Sequence, residues 1–323
     1  MKDNIKENCR IKCFPISFFS VILGMSGFTI AFQKAEEILK IPIHISSYIL
    51  LITIIFFILI SILYLTKIIL FRNKVKEEFN HPIKLSFFPT FSISLLLLSI
   101  AFLDINIDIS KYLRISGTLI HFVFTLKIIS IWIQDIKFDI KHMNPAWFIP
   151  AVGNILVPIA WVSHGFIEIS WFFYSIWLFF WIILLIIFFN RIIFHHPLPE
   201  KLLPTLFILI APPAIGFISF VKLTWEINEF TKILYYFWLF LVFLLFSQIK
   251  IFKKIKFYLS WWAYSFPIAW ISIASILMFK ETNFDTLKYI SLLLFWLTNI
   301  IILLLLFKTF IAILKKEICI EEE

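Results

Sequence analysis

Ten runs of predominantly apolar residues constrain this chain more than any other feature. Each is about the 20 residues that a helix needs to cross the hydrocarbon of a bilayer. They fall at 14–32, 43–66, 86–103, 111–133, 145–163, 168–190, 202–221, 229–249, 259–279 and 286–314. The connections between them are short, so no soluble domain is inserted. Of 323 residues, 61% are hydrophobic and 15% charged, with a mean hydropathy of +0.97. An ordinary soluble domain has roughly 45–50% apolar and about 25% charged residues. A soluble fold of this length has no means of hiding so much apolar surface. The expected class is an all-α integral membrane protein, with residues 1–323 forming a single transmembrane domain of ten helices.

The net charge is +9. In a soluble protein this would raise nucleic acid as a partner. Here the Lys and Arg residues cluster between the apolar runs, which is the pattern of membrane topology and attraction to anionic lipid. Membrane lipids, and no nucleic acid, are the expected surroundings. Assigning each Lys and Arg to the nearer membrane side, with Lys127 left out, gives 20 on the side of the N-terminus and 8 on the other. The positive-inside rule then places both termini in the cytoplasm of a multi-pass cell-membrane protein, expected in a bacterial inner membrane. The basic stretch Lys2 to Lys12 followed by an apolar run mimics a signal peptide. The run continues to Phe32 with no small-residue cleavage site, so it reads as a retained first helix. Cys9 and Cys13 lie four residues apart, and with only one other cysteine they read as free thiols.

Proline is distributed unevenly. Of thirteen prolines, nine lie in odd-numbered spans: Pro15, Pro89, Pro145, Pro150, Pro158, Pro204, Pro212, Pro213 and Pro267. The other four lie in connections, and none lies in an even span. Gly24, Gly27, Gly153 and Gly216 are also in odd spans, against Gly117 alone in an even one. Proline inside a helix removes a backbone hydrogen bond and crowds the preceding turn. In lipid the freed carbonyl must be satisfied by protein or by a wet cavity. This predicts an inner ring of five kinked odd helices forming a pore, inside an outer ring of five regular even helices. One proline from each odd span (15, 89, 150, 204, 267) gives gaps of 74, 61, 54 and 63 residues. His81-Pro82 and His196-Pro197 are each followed seven residues later by Pro-Thr, at 89–90 and 204–205. The spacing predicts five helical hairpins around a pseudo-fivefold axis.

The odd spans hold no ionisable residue in their apolar interiors. Pumps and proton-coupled carriers usually need such a relay at membrane depth. A pore can instead bind an ion weakly through backbone dipoles and the ends of broken helices, whose N-terminal amides favour anions. Lys127, the one charge read well inside a span, is expected to reach out to the cytoplasmic interface. His195-His196 reads as an interfacial loop, and His142 and His164 lie too far apart to share a site. No phosphate loop, nucleophile elbow or zinc signature appears, so neither an enzyme nor a cofactor is expected. Phe266, immediately before Pro267, is where a kink would turn a ring toward the axis.

The segment Met143-Asn144-Pro145-Ala146-Trp147-Phe148-Ile149-Pro150, continuing Ala151-Val152-Gly153-Asn154, resembles the fifth-helix signature of the tellurite-resistance/dicarboxylate transporter family. That family includes bacterial TehA proteins and the plant guard-cell slow anion channels. Phe14-Pro15-Ile16 with Gly24 resembles its first helix. Ile210-Ala211-Pro212-Pro213-Ala214-Ile215-Gly216-Phe217 resembles its seventh, and Trp261 through Pro267 its ninth. The resemblance implies five hairpins, a pore in each subunit of a homotrimer, and passage of chloride, nitrate or similar small inorganic anions. It implies a phenylalanine gate in the ninth helix, matched here by Phe266. Pro15, Gly24, Pro89, Pro150, Gly153, Pro204, Pro212, Pro213, Gly216 and Pro267 would line or kink the path. Plant members carry long phosphorylated tails, whereas only short segments flank the first and last spans here, so kinase control of that kind is not expected. The rival readings are a secondary transporter for C4-dicarboxylates or tellurite-type oxyanions, and a membrane enzyme or sensor without ion flux.

Overall fold

The computed structural model describes residues 10–252 and 255–319, with the backbone alone at Val152. Cys9 and the basic residues before it lie outside the described residues. Among the described residues, ten helices are long and apolar enough to cross a membrane. They are α1 (Ile16–Ile38), α2 (Ser46–Leu70), α3 (Lys84–Phe102), α4 (Ile107–Gln134), α5 (Pro145–Val162), α6 (Ile167–Phe194), α7 (Glu200–Thr224), α8 (Glu229–Ser247), α9 (Leu259–Thr282) and α10 (Asp285–Leu314). A short helix, Arg72–Asn80, lies between α2 and α3.

The two sets of helices differ in what surrounds them. In the most apolar stretch of each odd helix, 78–88% of residues are buried; in each even helix, 28–39% are. Among the described side chains, no large apolar one on an odd helix is exposed. Within the spans the exposed ones sit on even helices at helical spacing, such as Leu51, Ile55, Ile58, Ile62 and Leu65 on α2, or Leu293, Trp296, Ile300, Leu303 and Phe307 on α10. One apolar face per even helix is therefore open, which is stable only against hydrocarbon. Each odd helix packs against the even helix that follows it. Each also packs against the next odd helix, α1 on α3, α3 on α5, α5 on α7 and α7 on α9, and α9 returns to α1.

The prolines act differently from simple kinks. Every odd helix begins with a 3-10 segment: Ile16–Phe18, Lys84–Phe87, Pro145–Trp147, Glu200–Ile210 and Leu259–Tyr264. No even helix begins this way. Pro89 immediately precedes the α-helical part of α3, Pro150 and Pro267 are third residues of theirs, and Pro212 and Pro213 open that of α7. At the first turn of a helix an amide has no carbonyl to reach, so proline loses nothing there and its fixed φ suits the helix. Pro158 is different: it lies deep inside the α-helical part of α5. It removes the amide that would pair with the carbonyl of Asn154.

Candidate functional site

Phe266 is the second residue of the α-helical part of α9, directly after the 3-10 segment. It is 9% exposed, and its ring centroid lies 5.9 Å from that of Trp270. The turn before it is drawn tight by the Ser265 hydroxyl, which donates to the Trp262 carbonyl at 2.6 Å. Gly24 of α1 backs this turn. A Cβ at position 24 would stand 2.2 Å from Ser265 Oγ, so only glycine lets α1 lie this close to α9. Gly153 and Gly216 make similar approaches to even helices, to His121 of α4 and Trp177 of α6.

Most buried hydroxyls in these helices fold back onto a carbonyl, as Thr29 does to Met25 and Ser94 to Thr90. Some buried polar atoms do not. Ser26 Oγ on α1, Ser86 Oγ on α3, Asn154 Oδ1 on α5, and Ser272 Oγ and Trp270 Nε1 on α9 have no hydrogen-bond partner. Four of the five odd helices thus carry buried polar atoms that no protein group satisfies. Such atoms need an explanation, because leaving them unpaired costs about 1–3 kcal/mol each.

Sequence reading passed over His121. The residue is on α4, yet it is fully buried and reaches between α3 and α5. Its Nε2 donates to the Pro150 carbonyl at 3.1 Å, and its Nδ1 is 3.0 Å from Ser92 Oγ. The same carbonyl accepts from Thr125 Oγ1 (3.1 Å) and Asn154 Nδ2 (3.0 Å). The Ser92 hydroxyl donates to the Pro89 carbonyl at 2.8 Å, so Ser92, His121 and the Pro150 carbonyl form one buried polar chain across α3, α4 and α5. Ser110, Arg114, Thr118, His121 and Thr125 form one buried polar stripe on α4 at helical spacing. That stripe was the available signal. It also adds Arg114 to Lys127 as a cation inside a span. Lys127 itself is exposed.

Two charged clusters mark the ends of the odd helices. At the starting end, Glu78 of the short helix accepts from the Ile16 amide at 2.8 Å through Oε1. Its Oε2 accepts from Tyr64 (3.1 Å) and Lys67 (2.6 Å), and Lys67 also donates to the Phe14 carbonyl at 2.8 Å. The pair is nearly sealed from solvent, so it fixes the first turn of α1 to α2. Nearby, burial and the neighbouring Cys13 thiol push Cys319 up to about 11, which keeps it protonated at neutral pH. At the other end, Lys34 pairs with Glu37 at 2.6 Å and Asp104 at 3.6 Å, and Lys280 pairs with Glu37 at 3.7 Å. Lys222 lies within electrostatic reach of all four and donates to Ser163 Oγ at 3.5 Å. These residues come from α1, α3, α5, α7 and α9 or the turns that end them. Among the described residues no three His, Cys, Asp or Glu side chains are grouped to hold a metal ion.

Fold and polar pattern together define a polytopic membrane protein with a shielded set of broken helices. The family model described as SLAC1, voltage-dependent anion channel, matches residues 13–310, and the chain belongs to that family. The S-type anion channel SLAH3 of Arabidopsis thaliana is 31% identical over 270 residues, covering 81% of this chain and 42% of that protein. This chain spans about half the length of the plant relatives SLAH3 and SLAH2. An uncharacterised transporter of Methanocaldococcus jannaschii is 27% identical, covering 93% of this chain and 94% of its own length. The tellurite resistance protein TehA homolog of Haemophilus influenzae is 22% identical over 93% of this chain and 91% of its own.

Proposed function

We propose that this chain is a passive channel for small monovalent anions such as chloride and nitrate. In this reading five hairpins surround a pseudo-fivefold axis. The odd helices form the inner ring around a path, and the even helices face lipid. The observation that carries the reading is the cyclic packing of five shielded helices, each opening with a 3-10 segment and none ionisable in its interior. Buried polar atoms without protein partners on four of these helices supply weak ligands along such a path, and weak sites allow an ion to leave. Phe266, beside the break in α9, is the gate. Both termini are cytoplasmic, in a bacterial inner membrane, and the chain forms a homotrimer with one path per subunit.

Purified protein in liposomes tests this. Chloride efflux should follow the chloride gradient, run without a proton gradient and fail to saturate in the millimolar range. The relatives include a protein named for tellurite resistance, which favours a second reading, a secondary transporter for oxyanions or C4-dicarboxylates. Saturable uptake that requires a proton gradient would select it.

A further inference from the structure

A groove of about 480 Å³ runs between the starting ends of α4 and α6. Ile115, Leu119 and Phe122 of α4 and Ile169 and Phe172 of α6 line it, with Trp161 of α5 at its side. Its walls are apolar, and Leu119 and Phe172 are more than half exposed. Volumes of this order suit a small ligand or a length of acyl chain.

A cation stands at the head of the groove. Arg114 is one turn before Thr118, another groove residue, and its guanidinium lies 4.4 Å from the centre of the Trp161 ring and 5.3 Å from that of Phe166. The residue is 2% exposed, and its Nε and Nη1 atoms have no hydrogen-bond partner. The aromatic faces offset part of the cost of this buried charge, but among the described residues no carboxylate pairs with it. His164, in the turn between α5 and α6, also has a buried, unpartnered Nε2. Burial and the positive charges of Arg114 and Lys111 hold its imidazole below the usual histidine value.

From the groove and the cation at its head, we infer that this site binds a phospholipid, its phosphodiester at Arg114, Lys111 and His164 and one acyl chain between α4 and α6. Basic pockets between transmembrane helices are a recurrent way to hold such headgroups. Glu168 also lines the groove. Its carboxylate repels a free anion but suits the ammonium of a zwitterionic headgroup, so the lipid is favoured over inorganic phosphate.

Native mass spectrometry of the purified full chain, titrated with phosphatidylethanolamine, tests the proposal. Wild type should hold one lipid per chain, with occupancy falling about tenfold in Arg114→Gln and retained in Arg114→Lys. Leu119→Trp, which fills the groove and leaves the cation intact, should also lose the lipid. Equal retention in Arg114→Gln and Leu119→Trp would overturn the site. So would Arg114-dependent thermal stabilisation by inorganic phosphate equal to that by the lipid, which would assign a free anion. Loss of oligomers in Leu119→Trp, with no lipid bound to wild type, would assign the groove to a second copy of the chain.

Discussion

Gly153 of α5 lies flat against the imidazole of His121 of α4, so close that a Cβ at 153 would come within 2.0 Å of His121 Cε1. The contact joins α4 to the first α-helical turns of α5, where the Pro150 carbonyl accepts a hydrogen bond from His121 Nε2. Gly153→Ala should therefore destabilise the fold by about 1–3 kcal/mol, the range for overpacking. Thermal unfolding in detergent measures this. His121→Ala in the same chain should recover part of the loss, because it removes the colliding ring. If the double variant melts below Gly153→Ala alone, the clash is not the cause.

Lys67 and Glu78 hold α1, α2 and the short helix together through a 2.6 Å ion pair with both partners buried. Removing one partner of such a pair leaves an uncompensated charge and typically costs about 3–5 kcal/mol. Lys67→Met and Glu78→Gln should each lower the melting temperature strongly, and the double variant should melt above the worse single variant. Additive losses in this cycle would show that the two residues do not act as a pair.

The His164 imidazole is held down first by burial and then by Arg114 and Lys111. A histidine whose folded value lies below its unfolded one, about 6.5, binds fewer protons when folded. Its contribution to stability then falls as pH drops below about 6.5 and is restored as pH rises. Lys111→Gln should raise the His164 titration midpoint in NMR. An unchanged midpoint would remove Lys111 from the cluster.

Lys222, Lys34 and Lys280 outnumber Glu37 and Asp104 at the finishing end of the odd helices, and this net positive charge should raise the local anion concentration. Lys222→Gln should reduce chloride current roughly two-fold at low salt, with the difference shrinking as ionic strength screens it. Glu37→Gln should act in the opposite direction. Equal currents at low salt would place this cluster off the ion path.

That the chain forms ten apolar helices was legible because apolar length is a local property. Proline placement also marked the odd helices, since breakers cannot face lipid. The 3-10 segments were not legible: a missing amide marks where a helix starts, but not whether its first turn is wound as 3-10 or α. His121 was overlooked because it sits in an even helix. Its neighbours Arg114, Thr118 and Thr125 repeat at helical spacing, and that buried stripe identified the face. The Lys34, Lys222 and Lys280 cluster joins residues brought together only when α1, α7 and α9 meet, which no local pattern encodes, and Lys67 reaches Glu78 only because the chain turns between α2 and the short helix.

The most direct test of the channel reading is single-channel recording of wild type and Phe266→Ala in planar bilayers, under a chloride gradient and then a nitrate gradient. The account predicts a small wild-type current, a current at least several-fold larger in Phe266→Ala, and reversal of both near the anion equilibrium potential. A folded, inserted Phe266→Ala protein carrying no more current than wild type would contradict the gate, and reversal at the cation potential would contradict the channel.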